Sequence, residues 1–182
     1  MRVADADILI LPGYLDSEPE HWQSRWAQKL STARRVVQHD WAHPKRDEWV
    51  ETIGRAIDEA TRPPVLVAHS LGCVAALHAA QQWRSKIAGA FLVAPPSESV
   101  LRELPGVDPA FLPIPRARLP FPTTVVGASN DPYADAPFAR ELAEDIGARF
   151  IDAGEAGHLN VASGHGPWPE GSLAFAHFLM KL

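Results

Sequence analysis

Val65-Leu66-Val67-Ala68-His69-Ser70-Leu71-Gly72-Cys73 decides how this chain is read. An apolar, β-branched run stops at a serine, and helix-forming residues follow at once. Ala68 and Gly72 stand two residues before and two after Ser70. Small-x-Ser-x-Gly between a strand and a helix is the pattern of a nucleophile elbow, a tight turn that lifts a serine hydroxyl above the edge of a sheet. The turn leaves almost no room for side chains on either side of the serine. Gly72 meets that demand without strain, and the single methyl of Ala68 is the largest group it tolerates. The competing reading is a buried strand whose serine merely caps the next helix.

Outward from the elbow, short apolar runs alternate with helical patterns. Ile8–Leu11 reads as a buried strand ending at Pro12-Gly13. Ser17 and Glu20 have capping-box spacing, which predicts a helix from about Glu18 to Lys29. Arg35–Gln38 is a second candidate strand. A helix from about Arg46 to Ala60 follows, with Trp49, Ile53 and Ile57 on one face. Pro63 and Pro64 break it before the strand Val65–Val67, and the elbow helix runs from Leu71 to Trp83. Ile87–Val93 and Thr123–Val126 read as strands. A helix from about Asp135 to Ile146, a strand Arg149–Ile151 and a closing helix Pro169–Leu182 complete the order. Leu173, Phe175, Phe178 and Leu179 form the apolar side of the last helix. Strands alternating with helices predict an α/β fold, a mostly parallel sheet covered on both faces. Ligands of such sheets bind beyond the carboxyl ends of the strands.

Residues 95–122 interrupt this rhythm. Pro95, Pro96, Pro105, Pro109, Pro113, Pro115, Pro120 and Pro122 fall there, which disfavours a long regular element. The segment is too short for a separate cap domain. It reads either as a stiff loop beside the site or as a surface connection.

Composition narrows the function. A chain of 182 residues, 46% hydrophobic and 21% charged, is expected to form one domain, 1–182, with a real core. A net charge of −5 without a basic stripe argues against nucleic acid or an anionic membrane as partner. Its one cysteine excludes an internal disulfide framework, and a cytoplasmic location is the expectation. The N-terminal residues lack the apolar core of a signal peptide, and no apolar stretch approaches the ~20 residues of a membrane helix. No strand is followed by a Gly-x-Gly-x-x-Gly or Gly-x-x-x-x-Gly-Lys-Ser/Thr loop, so no cofactor is expected. His39-Asp40-Trp41-Ala42-His43 has no established zinc spacing, and no metal is expected.

A serine hydroxyl needs a base to take its proton and an acid to orient that base. On doubly wound sheets both partners come later in the chain, acid before histidine. Asp131 follows the run Val125-Val126-Gly127-Ala128-Ser129-Asn130 and is the acid candidate. Asp135 and Asp152 compete, and Asp131 also fits a simple turn or cap role. His158 follows the last strand within the Gly-rich loop Ala153-Gly154-Glu155-Ala156-Gly157 and is the base candidate. The other seven histidines, His21 and His69 among them, read as surface residues. Backbone N–H groups of Leu71 and Tyr14 are the candidate oxyanion donors, with Gly13 allowing close approach. Pro12-Gly13 also reads as a simple turn.

Several segments match one family in order. They are Leu11-Pro12-Gly13, Ser17, His21-Trp22-Gln23, Gln38-His39-Asp40-Trp41, Pro44, Trp49, Ala68-His69-Ser70-Leu71-Gly72, Ser129-Asn130-Asp131-Pro132, Gly157-His158-Leu159-Asn160 and Gly166-Pro167-Trp168-Pro169-Glu170-Gly171. Nearly end to end, the chain resembles the small, capless α/β-hydrolase family of predicted bacterial serine esterases, which includes the vertebrate retinoblastoma-binding serine hydrolase. The resemblance implies a Rossmann-like α/β/α sandwich, Ser70, Asp131 and His158 as a triad, and small ester or amide substrates. The Leu-x-Cys-x-Glu segment proposed to bind the retinoblastoma protein is not matched, because Leu71-Gly72-Cys73-Val74-Ala75 ends in alanine. Retinoblastoma-type binding is therefore not expected. Trp41 and Trp168 are candidates to border the substrate pocket. The favoured expectation is a serine hydrolase of small carboxylic esters. The rivals are an acyltransferase with the same triad and a non-catalytic interaction module on the same fold. No feature of the sequence fixes an oligomeric state.

Overall fold

The computed structural model describes residues 1–134 and 137–182. Six strands form one parallel sheet in the order β2-β1-β3-β4-β5-β6. They are β1 (Asp7–Leu11), β2 (Ala33–Arg35), β3 (Pro64–His69), β4 (Gly89–Val93), β5 (Thr123–Gly127) and β6 (Arg149–Asp152). Between and after them run α1 (Trp22–Lys29), α2 (Arg46–Asp58), α3 (Leu71–Trp83), α4 (Glu98–Glu103), α5 (Phe138–Ile146) and α6 (Pro169–Leu179). No described helix is long and apolar enough to cross a membrane.

The central strands are apolar at nearly every position because both faces are covered. Leu9, Leu11, Leu66, Ala68 and Leu92 point to the layer of α2, α3 and α5. Ile8, Ile10, Val65, Val67, Phe91 and Val93 point to the layer of α1 and α6. In the second layer Trp22, Trp26 and Trp168 pack on one another, with ring centroids 4.8–6.2 Å apart.

Some expected boundaries move. Ser17 does not cap α1; His21 does, its Nδ1 accepting from the Gln23 N–H. Buried Ser17 instead donates its hydroxyl to Gln23 Oε1 at 2.9 Å. The second strand lies at Ala33–Arg35 rather than Arg35–Gln38, and Val37 is exposed. An edge strand is fixed by its ladder to β1, so its own apolar content is a poor guide. Leu173 faces solvent, and α6 ends at Leu179. The expected start of the fourth predicted helix, Asp135, lies outside the described residues; α5 is described from Phe138. The proline-rich segment holds the six-residue α4 and a 3-10 turn at Pro109–Phe111. It is anchored rather than superficial: Leu101, Phe111 and Ile114 are buried in the core.

The strand order locates the crevice. From β1 the chain steps outward to β2, then crosses back to β3 and proceeds the other way. The carboxyl ends of β1 and β3 therefore flank a topological switch point, where loops diverge and leave an opening.

Candidate active site

Ser70 stands at the end of β3, over this crevice. Its φ of +53° and ψ of −127° are those of a sharp turn that a non-glycine residue adopts only under strain. Gly72 is needed because the first turn of α3 lies against the end of β1. A Cβ there would sit 2.4 Å from the Leu11 carbonyl oxygen and 2.6 Å from that of Pro12. The serine makes no cap hydrogen bond to α3, so the capping reading does not hold. Its Oγ lies 2.9 Å from His158 Nε2 instead.

His158 and Asp131 are both buried, from loops after β6 and β5. His158 Nδ1 lies 3.0 and 2.9 Å from the two Asp131 carboxylate oxygens. A carboxylate only accepts, so Nδ1 carries the proton and Nε2 presents a lone pair to the serine hydroxyl. The two loops are tied together, because Asn130 Oδ1 accepts the Gly157 N–H at 2.7 Å. Beyond the imidazole, Trp22 Nε1–H donates to the Leu159 carbonyl at 2.9 Å. Tyr133 packs its ring against His158, with centroids 4.4 Å apart. The competitor Asp152 is exposed; it accepts from the Gly154 N–H and lies 3.8 Å from Arg140. Asp135 lies outside the described residues.

Gly13 presses on the elbow from the β1 side. A Cβ on it would meet Ser70 Cβ at 2.8 Å and the Leu71 nitrogen at 3.2 Å. Among the described residues, no acceptor is found for the N–H of Tyr14 or Leu71 outside regular helix bonds. Leu71 is the first residue of α3, where helical N–H groups lack intrahelical partners. The loop after β1 is held on three sides. Leu15 N–H donates to the Trp41 carbonyl at 3.0 Å, Tyr14 Oη–H to the Pro105 carbonyl at 2.8 Å, and Asp16 pairs with Arg35. From beneath, fully buried Gln23 donates Nε2–H to the carbonyls of Leu11 and Val67 at 3.1 and 3.2 Å. It thereby fastens the ends of β1 and β3.

A cavity of about 190 Å³ opens at Ser70. Gly13, Tyr14, His21, His69, Tyr133 and His158 contribute to its wall. Trp41 and Trp168, expected at the pocket border, do not. Trp41 packs on Trp49 and serves the site through its carbonyl, while Trp168 is buried between α1 and α6. His21 and His69 are the opposite correction, since both are buried beside the cavity rather than at the surface.

A Serine hydrolase family model matches residues 8–177. The chain belongs to the serine hydrolase family. This serine hydrolase is 34% identical to a protein described as a YdeN-like hydrolase from Pectobacterium atrosepticum, with a TM-score of 0.84 over 97% of this chain and 92% of that one. The ydeN product of B. subtilis, at 20% identity, superposes with a TM-score of 0.78 over 95% and 98% of the two chains. A protein described as a hydrolase of the alpha/beta superfamily from Xanthomonas campestris, at 22% identity, gives 0.69 over 100% of both. No curated protein sequence matches the chain. The fold is of the α/β-hydrolase type, and among the described residues no cap domain stands over the crevice of the enzyme.

Burial in the wall keeps two of the hydrolase's imidazoles neutral. Desolvation, then the neighbouring His158 and Arg35 charges, lowers the His21 pKa from 6.5 to about 4. Desolvation lowers that of His69 well below its usual value, with His158 and His21 adding to the effect. In the unfolded chain both take protons near pH 6.5. The unfolded state therefore binds more protons than the folded one as pH falls through this window. Stability is full above about pH 6.5 and declines toward pH 4, by roughly 2 kcal/mol at pH 5 from His21 alone. Thermal melts at about pH 7.5 and pH 5 should show a lower Tm in acid, and a His21→Asn variant should show a smaller fall. Equal Tm values at the two pH values would contradict buried, neutral imidazoles.

Proposed function

We propose that this hydrolase cleaves small carboxylic esters through a Ser70–His158–Asp131 triad and an acyl-enzyme. The unbroken hydrogen-bond line from Asp131 through His158 to Ser70 carries this reading. His158 Nε2 takes the hydroxyl proton as Ser70 Oγ attacks the ester carbonyl. Asp131 holds the imidazole in the required tautomer and offsets its positive charge. The imidazolium then returns the proton to the departing alcohol. A water, deprotonated by the same nitrogen, attacks the acyl-serine and releases the acid.

The tetrahedral oxyanion falls to the N–H groups of Leu71 and Tyr14, which the tight Gly13 contact holds beside the elbow. The positive end of α3 supports the same charge. Gly13→Ala should push this loop off the elbow and lower kcat by about 10²-fold, the scale of one lost oxyanion donor. KM and Tm should change far less, and steady-state kinetics with a melt would check both. Wild-type kcat in the alanine variant would remove the β1 loop from the oxyanion site.

The cavity is smaller than the roughly 300 Å³ at which drug-sized pockets begin, which favours short acyl groups. It also supports hydrolysis over acyl transfer, since a second organic acceptor needs space beside the acyl group. A fluorophosphonate probe followed by peptide mapping tests the nucleophile, with labelling expected at Ser70. A p-nitrophenyl ester series from acetyl to dodecanoyl tests the size limit, with kcat/KM highest at the short end. A folded, unlabelled protein would favour a non-catalytic role, and a preference for dodecanoyl would contradict the small-substrate reading.

A further inference from the structure

The chain after β4 bridges the two loops that build the site. Ser97 N–H donates to the Tyr133 carbonyl at 2.8 Å, which fastens the start of α4 to the loop of Asp131. The helix is six residues long, about 9 Å. At its far end the Pro105 carbonyl accepts the Tyr14 hydroxyl at 2.8 Å, which fastens it to the loop after β1. The next residues are pinned as well. A Cβ on Gly106 would stand 2.6 Å from the Ala42 carbonyl oxygen. Asp108 donates its N–H to the Pro44 carbonyl at 3.1 Å and accepts the Arg46 N–H at 3.2 Å. Glu98 Oε1 accepts the Ile114 N–H at 3.2 Å and closes the segment on itself. A helix this short does not stand alone, so these bonds and the core contacts fix it as a strap between the two loops.

Helical spacing decides what the strap presents. Leu101 and Leu104 stand three residues apart and share a face. Leu101 is buried in the core. Leu104, the C-cap, is half-buried against the same core and forms part of the wall of the cavity at Ser70. Half of a leucine is thus within reach of a molecule in that cavity. The other large apolar groups on the wall have different tasks. Leu15 is 63% exposed and turned mostly to solvent. The Tyr133 ring covers His158, and the Tyr14 hydroxyl holds Pro105. The departing alcohol must lie within reach of His158 Nε2, on the side that Tyr133 covers. Leu104 is at the opposite end of α4, beside the Tyr14 loop, which leaves it to the acyl chain.

We propose that Leu104 is a specificity residue: its side chain, held by the α4 strap, meets the acyl chain and limits its length. The acyl class is then short, aliphatic and uncharged, since an isobutyl group offers a carboxylate no compensation for lost water. The assignment rests on the esterase reading of the Ser70 site.

The test changes the size of this one side chain in both directions. Wild type, Leu104→Ala and Leu104→Phe are compared on p-nitrophenyl esters from acetyl to dodecanoyl. Each kcat/KM is divided by that of the acetyl ester on the same preparation, so the ratio does not depend on how much of a variant is folded. Alanine removes three carbons from the wall. The first esters beyond the wild-type limit should gain roughly tenfold over acetyl, the scale of one methylene in an apolar pocket. Phenylalanine should shorten the limit, with a loss of similar size on the longest ester that wild type accepts. Should one variant fail to fold, the other still decides, because the two shifts have opposite signs. Ratios within twofold of wild type in the active variants would overturn the assignment. A second series, acetates of longer alcohols, should keep its ratios in both variants. A shift confined to that series would place Leu104 at the leaving group and overturn the acyl assignment. Absence of hydrolysis of every ester by wild type would instead sink the esterase reading, and the acyl limit with it.

Discussion

Ser70→Ala is expected to lower ester turnover by about 10⁶-fold, as removal of a triad nucleophile does, with the fold retained. The exchange removes only the hydroxyl. That hydroxyl makes one described hydrogen bond, to His158, and none to the helix it precedes. Alanine tolerates the φ of +53° no better and no worse than serine, so the turn keeps its shape. Circular dichroism and Tm should match wild type, while fluorophosphonate labelling disappears. Residual hydrolysis above the uncatalysed rate belongs to the oxyanion donors acting on water. Retention of more than about one part in a hundred of the activity would refute Ser70 as nucleophile.

Asp131→Asn should cost about 10⁴-fold in kcat with little change in KM. The amide is nearly the same size as the carboxylate and can still accept the Tyr133 N–H, which Asp131 Oδ1 now takes at 2.9 Å. What changes is the proton on the imidazole. An amide NH₂ facing Nδ1 favours the tautomer with hydrogen on Nε2, which cannot receive the proton of Ser70. Stopped assays and a melt on the same preparation separate this from misfolding. Near-normal turnover would move the acid role away from Asp131. Asp152 could not take it, because its exposed carboxylate is spent on Gly154 and Arg140.

The sequence carried the path of the backbone further than the contacts between side chains. The elbow was legible because the turn imposes size limits at Ala68 and Gly72, which a linear pattern records directly. Strands β1, β3 and β4 were legible because both faces are buried and nearly every residue is apolar, and β5 because its buried run Thr123–Val126 is β-branched throughout. β2 was misplaced because an edge strand is set by its neighbour's ladder, and Val36-Val37 beyond it mimic a buried run. The chain order of acid and histidine pointed to Asp131 and His158, which the fold brings together. Gln23, His21 and His69 were not foreseen as parts of the site. Each acts across a gap of many residues, toward Val67, the cavity or the His158 carbonyl, and no periodicity encodes that. Polar residues in an amphipathic stretch normally face water. The one available signal was that Gln23 and His21 sit beside Trp22 at a position where the helix turns inward.

The posture of Ser70 has a consequence for the evolution of such enzymes. Its positive φ is a conformation that glycine adopts freely, and its hydroxyl, by turning to His158, leaves the start of α3 without a cap. Both departures weaken the folded state at one residue, by an amount on the order of 1–3 kcal/mol for the backbone alone. The hardiest version of this protein would therefore be an inert one. Heat tolerance and reactivity compete at a single codon, and selection for endurance by itself would erase the chemistry first.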